Sequence, residues 1–186
     1  MTHILSLLVE NQQGVLARIS GLLSGRGYNV ESITAGATID PTVTRITLAC
    51  TGDDAVVEQI KKQLNKLIDV IKVNELTGLP SLNRELMLIK VSAKGRQRGE
   101  IFQVADVFKA QVMDVGHDTM SVELTGTPEK IDDFASLLSP YGIVEIARSG
   151  VVAMERSKKT PSSPRSNMEG SRGAKAPSEA APGADQ

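Results

Sequence analysis

The sequence predicts an α+β fold of two consecutive βαββαβ modules of the split-βαβ, ferredoxin-like kind, followed by a disordered C-terminal tail. Three observations predict it. Short runs with period-two apolar alternation interleave with runs of helical spacing, in an order that reads βαββαβ twice. That order is interrupted midway at Gly78-Leu79-Pro80 and then restarts. The composition is aliphatic: of 186 residues 40% are apolar, yet there are only three Phe, two Tyr and no Trp. Such a chain can hold one ordinary domain or two small ones.

In the first module, Leu5, Leu7 and Val9 alternate with other residues, which gives a strand over about 3–9. Leu16, Ile19 and Leu23 then recur at i, i+3, i+7 and share one face of a helix over about 15–24, which stops at Gly25. Tyr28–Thr38 reads as the second strand, Asp40-Pro41 as a turn, and Val43–Cys50 as the third strand. Asp53 and Asp54 suit a helix start, as caps and as charges beside the positive end of the dipole. Val57, Ile60, Leu64 and Leu67 stripe that helix, and Val70–Leu76 closes the module. In the second module, Leu86–Val91 is a strand and Ile101, Val104 and Phe108 stripe a helix. Gln111–Val115 and Met120–Leu124 form two strands joined at Gly116–Thr119. Thr127-Pro128 caps a helix striped by Ile131, Phe134 and Leu138, and Ile143–Ala153 is one last long strand. The expected division is 1–78, 79–155 and 156–186. The last stretch has four prolines, no aromatics and almost no large aliphatics, so burial cannot offset its ordering entropy.

Several functions are excluded by what is missing. A formal net charge of −1 gives no global field for nucleic acid or anionic lipid. Base-stacking modules with this strand order need aromatics on the central strands, and "HILSLLV" and "VTRITLAC" have none. One cysteine, Cys50, rules out an internal disulfide framework and suits a reducing compartment. The run Ile4–Val9 lacks a basic leader and meets Glu10, unlike a signal peptide, and no run approaches the ~20 apolar residues of a membrane helix. A soluble cytoplasmic protein is expected. His3 and His117 have no Cys or His beside them at ligand spacing, so no metal site is expected. Cys50 has no nearby His to activate it and reads as an inert buried thiol. There is no G-x-S-x-G, Walker loop or G-x-G-x-x-G. "KGRQRGE", Lys94–Glu100, makes an anion site thinkable, but without a complete phosphate motif it reads as a solvent-facing loop.

The stretch "VENQQGVLARISGLLSGRGYNVESI" carries more. The first turn of a helix presents unpaired N–H groups and partial positive charge, which suits a carboxylate. Gly14 allows close backbone approach, and Asn11 offers both donors and acceptors to the two charged ends of an amino acid. Val15 and Leu16 supply an apolar wall. Asn29 opens the second strand, which lies at a sheet edge in the usual 4-1-3-2 order and is available to a second copy. There Asn29 would help close a pocket at a dimer seam. The same residues also serve as loop and turn punctuation, and spacing alone leaves both readings open.

"ILSLLVENQQGVLARISGLLSGRGYNVESITAG" strongly resembles the start of the small, regulatory subunits of acetolactate synthase (acetohydroxyacid synthase). "DPTVTRITL", "QIKKQLNKLIDVIKV", "RELMLIKV" and "IVEIARSGVV" extend the resemblance in order to about residue 155. The resemblance implies an N-terminal ACT domain and a second ferredoxin-like domain. It also implies ACT domains paired as a homodimer, with a branched-chain amino acid effector, usually valine, at the interface. By position the effector site would comprise Asn11, Gly14, Val15, Leu16, Asn29 and Val30. No cofactor is implied for this chain: thiamine diphosphate, Mg²⁺ and typically FAD belong to the large catalytic subunit, whose activity this chain would raise and subject to feedback. That accounts for the absent catalytic groups. The tail departs from the compact ending common in the family. Competing readings are a free-standing ACT-type amino acid sensor acting on another enzyme, and an acylphosphatase-like enzyme using Arg96 or Arg98.

Overall fold

The computed structural model describes residues 1–157; the disorder expected for the tail falls, from residue 158 onward, outside the described residues. The first module runs β1 (Thr2–Glu10), α1 (Val15–Ser24), β2 (Asn29–Ala37), β3 (Val43–Thr51), α2 (Asp54–Leu64) and β4 (Val70–Glu75). The second runs β5 (Ser81–Ser92), α3 (Gln97–Phe108), β6 (Gln111–Val115), β7 (Thr119–Gly126), α4 (Pro128–Leu138), β8 (Ile143–Arg148) and β9 (Val152–Glu155). Both are ferredoxin-like, and both sheets are antiparallel. The first has the order β2-β3-β1-β4, so β2 is an edge strand as expected. The second has the order β6-β7-β5-β8.

Period-two alternation aims one side of each sheet at its helices. Leu5, Leu7 and Val9 of β1 and Ile46 and Leu48 of β3 are buried against α1 and α2. In the second module Met87, Ile89 and Val91 of β5 meet Ile101 of α3 and Phe134 of α4. Each such side chain contributes roughly 1.5–3 kcal/mol by leaving water. The helix starts follow their caps. The Asp53 carboxylate accepts from the Val56 N–H at 2.8 Å, and Thr127 Oγ1 accepts from the Lys130 N–H at 3.4 Å.

Three expectations need correction. The last strand is not continuous: β8 pairs with β5 up to Met87↔Arg148, whereas β9 resumes at Arg84↔Val152. Three residues, 149–151, therefore stand opposite two, and this extra residue breaks the ladder as a bulge does. Secondly, α3 begins inside the expected Lys94–Glu100 loop, at Gln97. The Arg98 guanidinium does not face an anion but donates to the carbonyls of Gly116 (2.8 Å) and His117 (2.5 Å), tying α3 to the β6–β7 turn. Thirdly, the buried stripe of α1 is Val15, Ile19 and Leu23 rather than one led by Leu16. Spacing of i, i+4, i+8 keeps those three within one stripe, and Leu16 falls on its rim.

Candidate effector site

The chain leaves β1 through a loop anchored by Asn11. The Asn11 N–H donates to the Thr42 carbonyl at 2.7 Å, and Asn11 Nδ2 donates to the Pro41 carbonyl at 2.9 Å. The loop thus rests on the β2–β3 turn. Gly14 follows in the left-handed region, with φ +83°, where a side chain is strained. A Cβ there would meet Arg18 Nη1 at 3.4 Å. Gly14 caps α1 without a side-chain hydrogen bond, and the first turn of α1 holds no acidic residue. Its N–H groups and dipole are accordingly uncompensated by the protein's own carboxylates. Arg18 is turned aside: its Nε donates to Asp69 Oδ2 at 2.7 Å.

Val15 and Leu16 have different surroundings. Val15 is 4% exposed and belongs to the core, so it can offer a ligand only its backbone. Leu16 is 46% exposed and is the apolar side chain at the mouth of the loop. Val30 is partly buried against the same core, and Asn29 is exposed at the start of β2.

The structure does not bring the six residues together within one chain. Asn29 pairs with Thr51, which also pairs with Thr2 at the start of β1. Asn11 follows the other end of β1, where Glu10 pairs with Val43. Those two ends are eight residue steps apart, about 26 Å of strand. Asn11, Gly14, Val15 and Leu16 form one group and Asn29 and Val30 a second, at opposite ends of the sheet. A groove of about 860 Å³ between the modules is lined by none of the six; Glu31, Ser32, Asn83, Arg84 and Arg148 are among its walls.

The remaining reactive groups are occupied or shut away. His3 is buried, with Nδ1 at 3.4 Å from a Glu75 carboxylate oxygen. Cys50 is buried in the first core, and that burial, with smaller contributions from the Glu31 and Glu75 charges, pushes its thiol above the usual range. It is therefore held as a thiol, the unreactive form. His117 stands in open solvent beside Asp118. Among the described residues there is no cluster of three or more His, Cys, Asp or Glu suited to a metal, and no helix is long and apolar enough to cross a membrane.

Comparison with known proteins gives consistent matches across both modules. Residues 5–72 match the family described as AHAS small subunit-like ACT domain, and residues 84–157 match the small subunit of acetolactate synthase. The chain is 49% identical over 160 residues to a probable acetolactate synthase small subunit of Methanothermobacter thermautotrophicus, covering 86% of this chain and 95% of that one. It is 47% identical over 160 residues to the acetolactate synthase isozyme 3 small subunit of Escherichia coli, covering 86% and 98%. The crystal structure of an acetolactate synthase small subunit from Thermotoga maritima superposes with a TM-score of 0.78 at 38% identity, over 85% of this chain and 99% of that one.

Proposed function

Since this chain belongs to the family of acetolactate synthase small subunits, we propose that it is the non-catalytic regulator of a thiamine-diphosphate-dependent large subunit in branched-chain amino acid biosynthesis. It raises the rate of that subunit in the cytoplasm and makes it sensitive to valine or a related branched-chain amino acid. Thiamine diphosphate, Mg²⁺ and FAD are held by the large subunit. Effector binding belongs to the module spanning 1–78.

The observation that carries the reading is the placement of Asn11 and Asn29 at opposite ends of a sheet whose edge is β2. An edge strand offers unpaired backbone groups to another strand. Along β2, Glu31 is the only charged residue in "NVESITAGA", so little repels a second copy. Antiparallel pairing of two β2 edges reverses one against the other. The Asn29 end of one copy then meets the Ala37 end of its partner, which is the end beside Asn11 and Gly14. Two equivalent sites arise, each built from Asn11, Gly14, Val15 and Leu16 of one copy and Asn29 and Val30 of the other.

The chemistry of such a site suits an amino acid with a branched aliphatic side chain. The uncompensated N-terminus of α1 receives the carboxylate. Asn11 spends its NH₂ on Pro41, which turns its Oδ1 outward as an acceptor for the ammonium. Leu16 provides apolar contact, and Asn29 closes the seam from the other copy. The test is the rate of the large subunit with and without this chain, titrated with valine. The expected result is no acetolactate from the chain alone, a higher rate with it, and loss of that rate as valine rises. An unchanged rate at saturating small subunit contradicts the proposal.

A further inference from the structure

The bend that interrupts the last strand lies against the effector strand. Thr34 Oγ1, in the middle of β2, donates to the Ser149 carbonyl at 3.1 Å. Gly150 sits beside it with φ +76°, and a Cβ at that position would lie 2.7 Å from Thr34 Oγ1 and 3.1 Å from Ser32 Cβ. Two independent constraints, conformation and space, thus require glycine where the second module touches β2. Immediately upstream, β2 itself carries an irregularity between Val30 and Ser32, which separates its Asn29–Val30 end from the Thr34 contact.

On the far side the bend is fixed to the second module. The Ser149 N–H donates to the Leu86 carbonyl at 2.9 Å, and the Leu86 N–H donates to Ser149 Oγ at 3.0 Å. One residue earlier, Arg148 donates from Nε and Nη2 to the two Glu85 carboxylate oxygens at 2.8 and 2.7 Å. Its Nη1 reaches Asp132 of α4 at 2.7 Å. The Glu85 carboxylate is buried, so this fork is held in a low-dielectric setting where charge-assisted hydrogen bonds are strong. A displacement of β2 at Thr34 is therefore carried by direct contact into β5 and α4.

We propose that the Ser149–Gly150 bend is the joint through which the ligand state of β2 is passed to the second module. The proposal rests on the effector reading above and adds the regulatory route out of that site. Coupling of this kind needs a continuous set of contacts with two arrangements, biased by the ligand. A bulge pinned on one side to an edge strand and on the other to an ion-paired core supplies the contacts.

The experiment uses the full chain reconstituted with its large subunit, in wild type, Thr34→Val and Gly150→Ala. Thr34→Val keeps the shape and removes the hydrogen bond to Ser149. Three quantities are read: activation at saturating small subunit, valine affinity by calorimetry, and the rate that remains at saturating valine. For Thr34→Val the expectation is activation and valine affinity within about twofold of wild type, with the rate remaining at saturating valine raised about fivefold, the lower end of typical coupling. Valine-dependent hydrogen exchange should reach 148–152 and 127–132 in wild type and stop at β2 in the variant. An unchanged residual rate at saturating valine together with unchanged exchange in Thr34→Val overturns the joint, whether or not Gly150→Ala folds. A wild-type chain that fails to bind valine or to activate instead overturns the effector reading, a failure seen before any variant is made.

Discussion

The two modules share one fold and differ most at the same point in it, the loop between the first strand and first helix. In the second module that loop is satisfied from within. The Ala93 N–H donates to the Asp118 carbonyl at 2.8 Å, the Lys94 N–H to Gln97 Oε1 at 3.3 Å, and Glu100 stands in the first turn of α3. In the first module the loop ends on Gly14 and no acid stands in the first turn of α1, while neither α1 nor α3 has a side-chain cap. Equivalent helix starts in one topology thus differ in charge: the first turn of α3 holds its own carboxylate and that of α1 does not. Fold alone does not make a site; the proposed one lies where the chain supplies no carboxylate to its own helix terminus.

The comparison extends to the ion pairs that brace each module, and it gives the largest expected effect. Arg148→Ala removes a two-pronged partner from buried Glu85. Breaking a buried pair costs about 3 kcal/mol when the arginine is itself partly solvated, the low end of the usual range. Arg18 makes a single bond to Asp69, which is also buried, so Arg18→Ala leaves a buried carboxylate unpaired but deletes one bond rather than three, and should cost less, about 2 kcal/mol. Denaturant unfolding of both variants checks the ranking, and equal losses would break the comparison.

Next come the two loops. Gly14→Asp puts a left-handed strain and a negative charge where the proposed site would receive an effector carboxylate, and should weaken valine inhibition by about 100-fold or more. Gly95→Asp, in the corresponding loop and also at positive φ (+53°), should leave the valine response unchanged. A valine titration of the reconstituted enzyme separates them. Asn11→Ala and Asn29→Ala each delete hydrogen bonds to a charged ligand, worth roughly 1.5–3 kcal/mol, or about 10- to 150-fold in affinity. Activation should survive in both, because losing an effector is not losing subunit association.

The smallest effect sharpens the contrast from inside the first core. Cys50 pairs with Val30 on β2 and has no counterpart thiol in the second module. Its alkylation therefore reports opening of the first module alone. With its thiol buried and pushed up, it should resist iodoacetamide until denaturant is added. Valine at ten times its Kd should slow labelling about tenfold more.

Much of this was legible in the sequence, for identifiable reasons. Period-two alternation located β1 and β3, and the cap residues Asp53 and Thr127 placed the starts of α2 and α4, although Leu67, expected on the α2 stripe, lies beyond that helix's end at Leu64. The edge position of β2 follows from the order of elements. The break at 149–151 was not legible, because its cause is remote: Gly150 is glycine on account of Thr34 and Ser32, more than a hundred residues away. Ser81–Arg84 escaped notice as strand because its partner, β9, exists only after that break. The start of α3 was hidden by a polar first turn that reads as a solvent-facing loop, and Arg98, a candidate only under the competing enzyme reading, is bound to the Gly116 and His117 carbonyls. The candidate site residues are chosen by type, and their separation into two groups appears only once β1, β2 and β3 are in register.

That separation is the account's central claim: each effector site takes Asn11 from one chain and Asn29 from another. It is tested most directly by co-expressing Asn11→Ala and Asn29→Ala chains with different tags, isolating the mixed dimer, and measuring valine binding by calorimetry. Sites shared across the seam place both substitutions in one site and none in the other, so the mixed dimer should regain one valine site of wild-type affinity. A mixed dimer with no wild-type site, each chain as weak as in its own homodimer, would contradict the account.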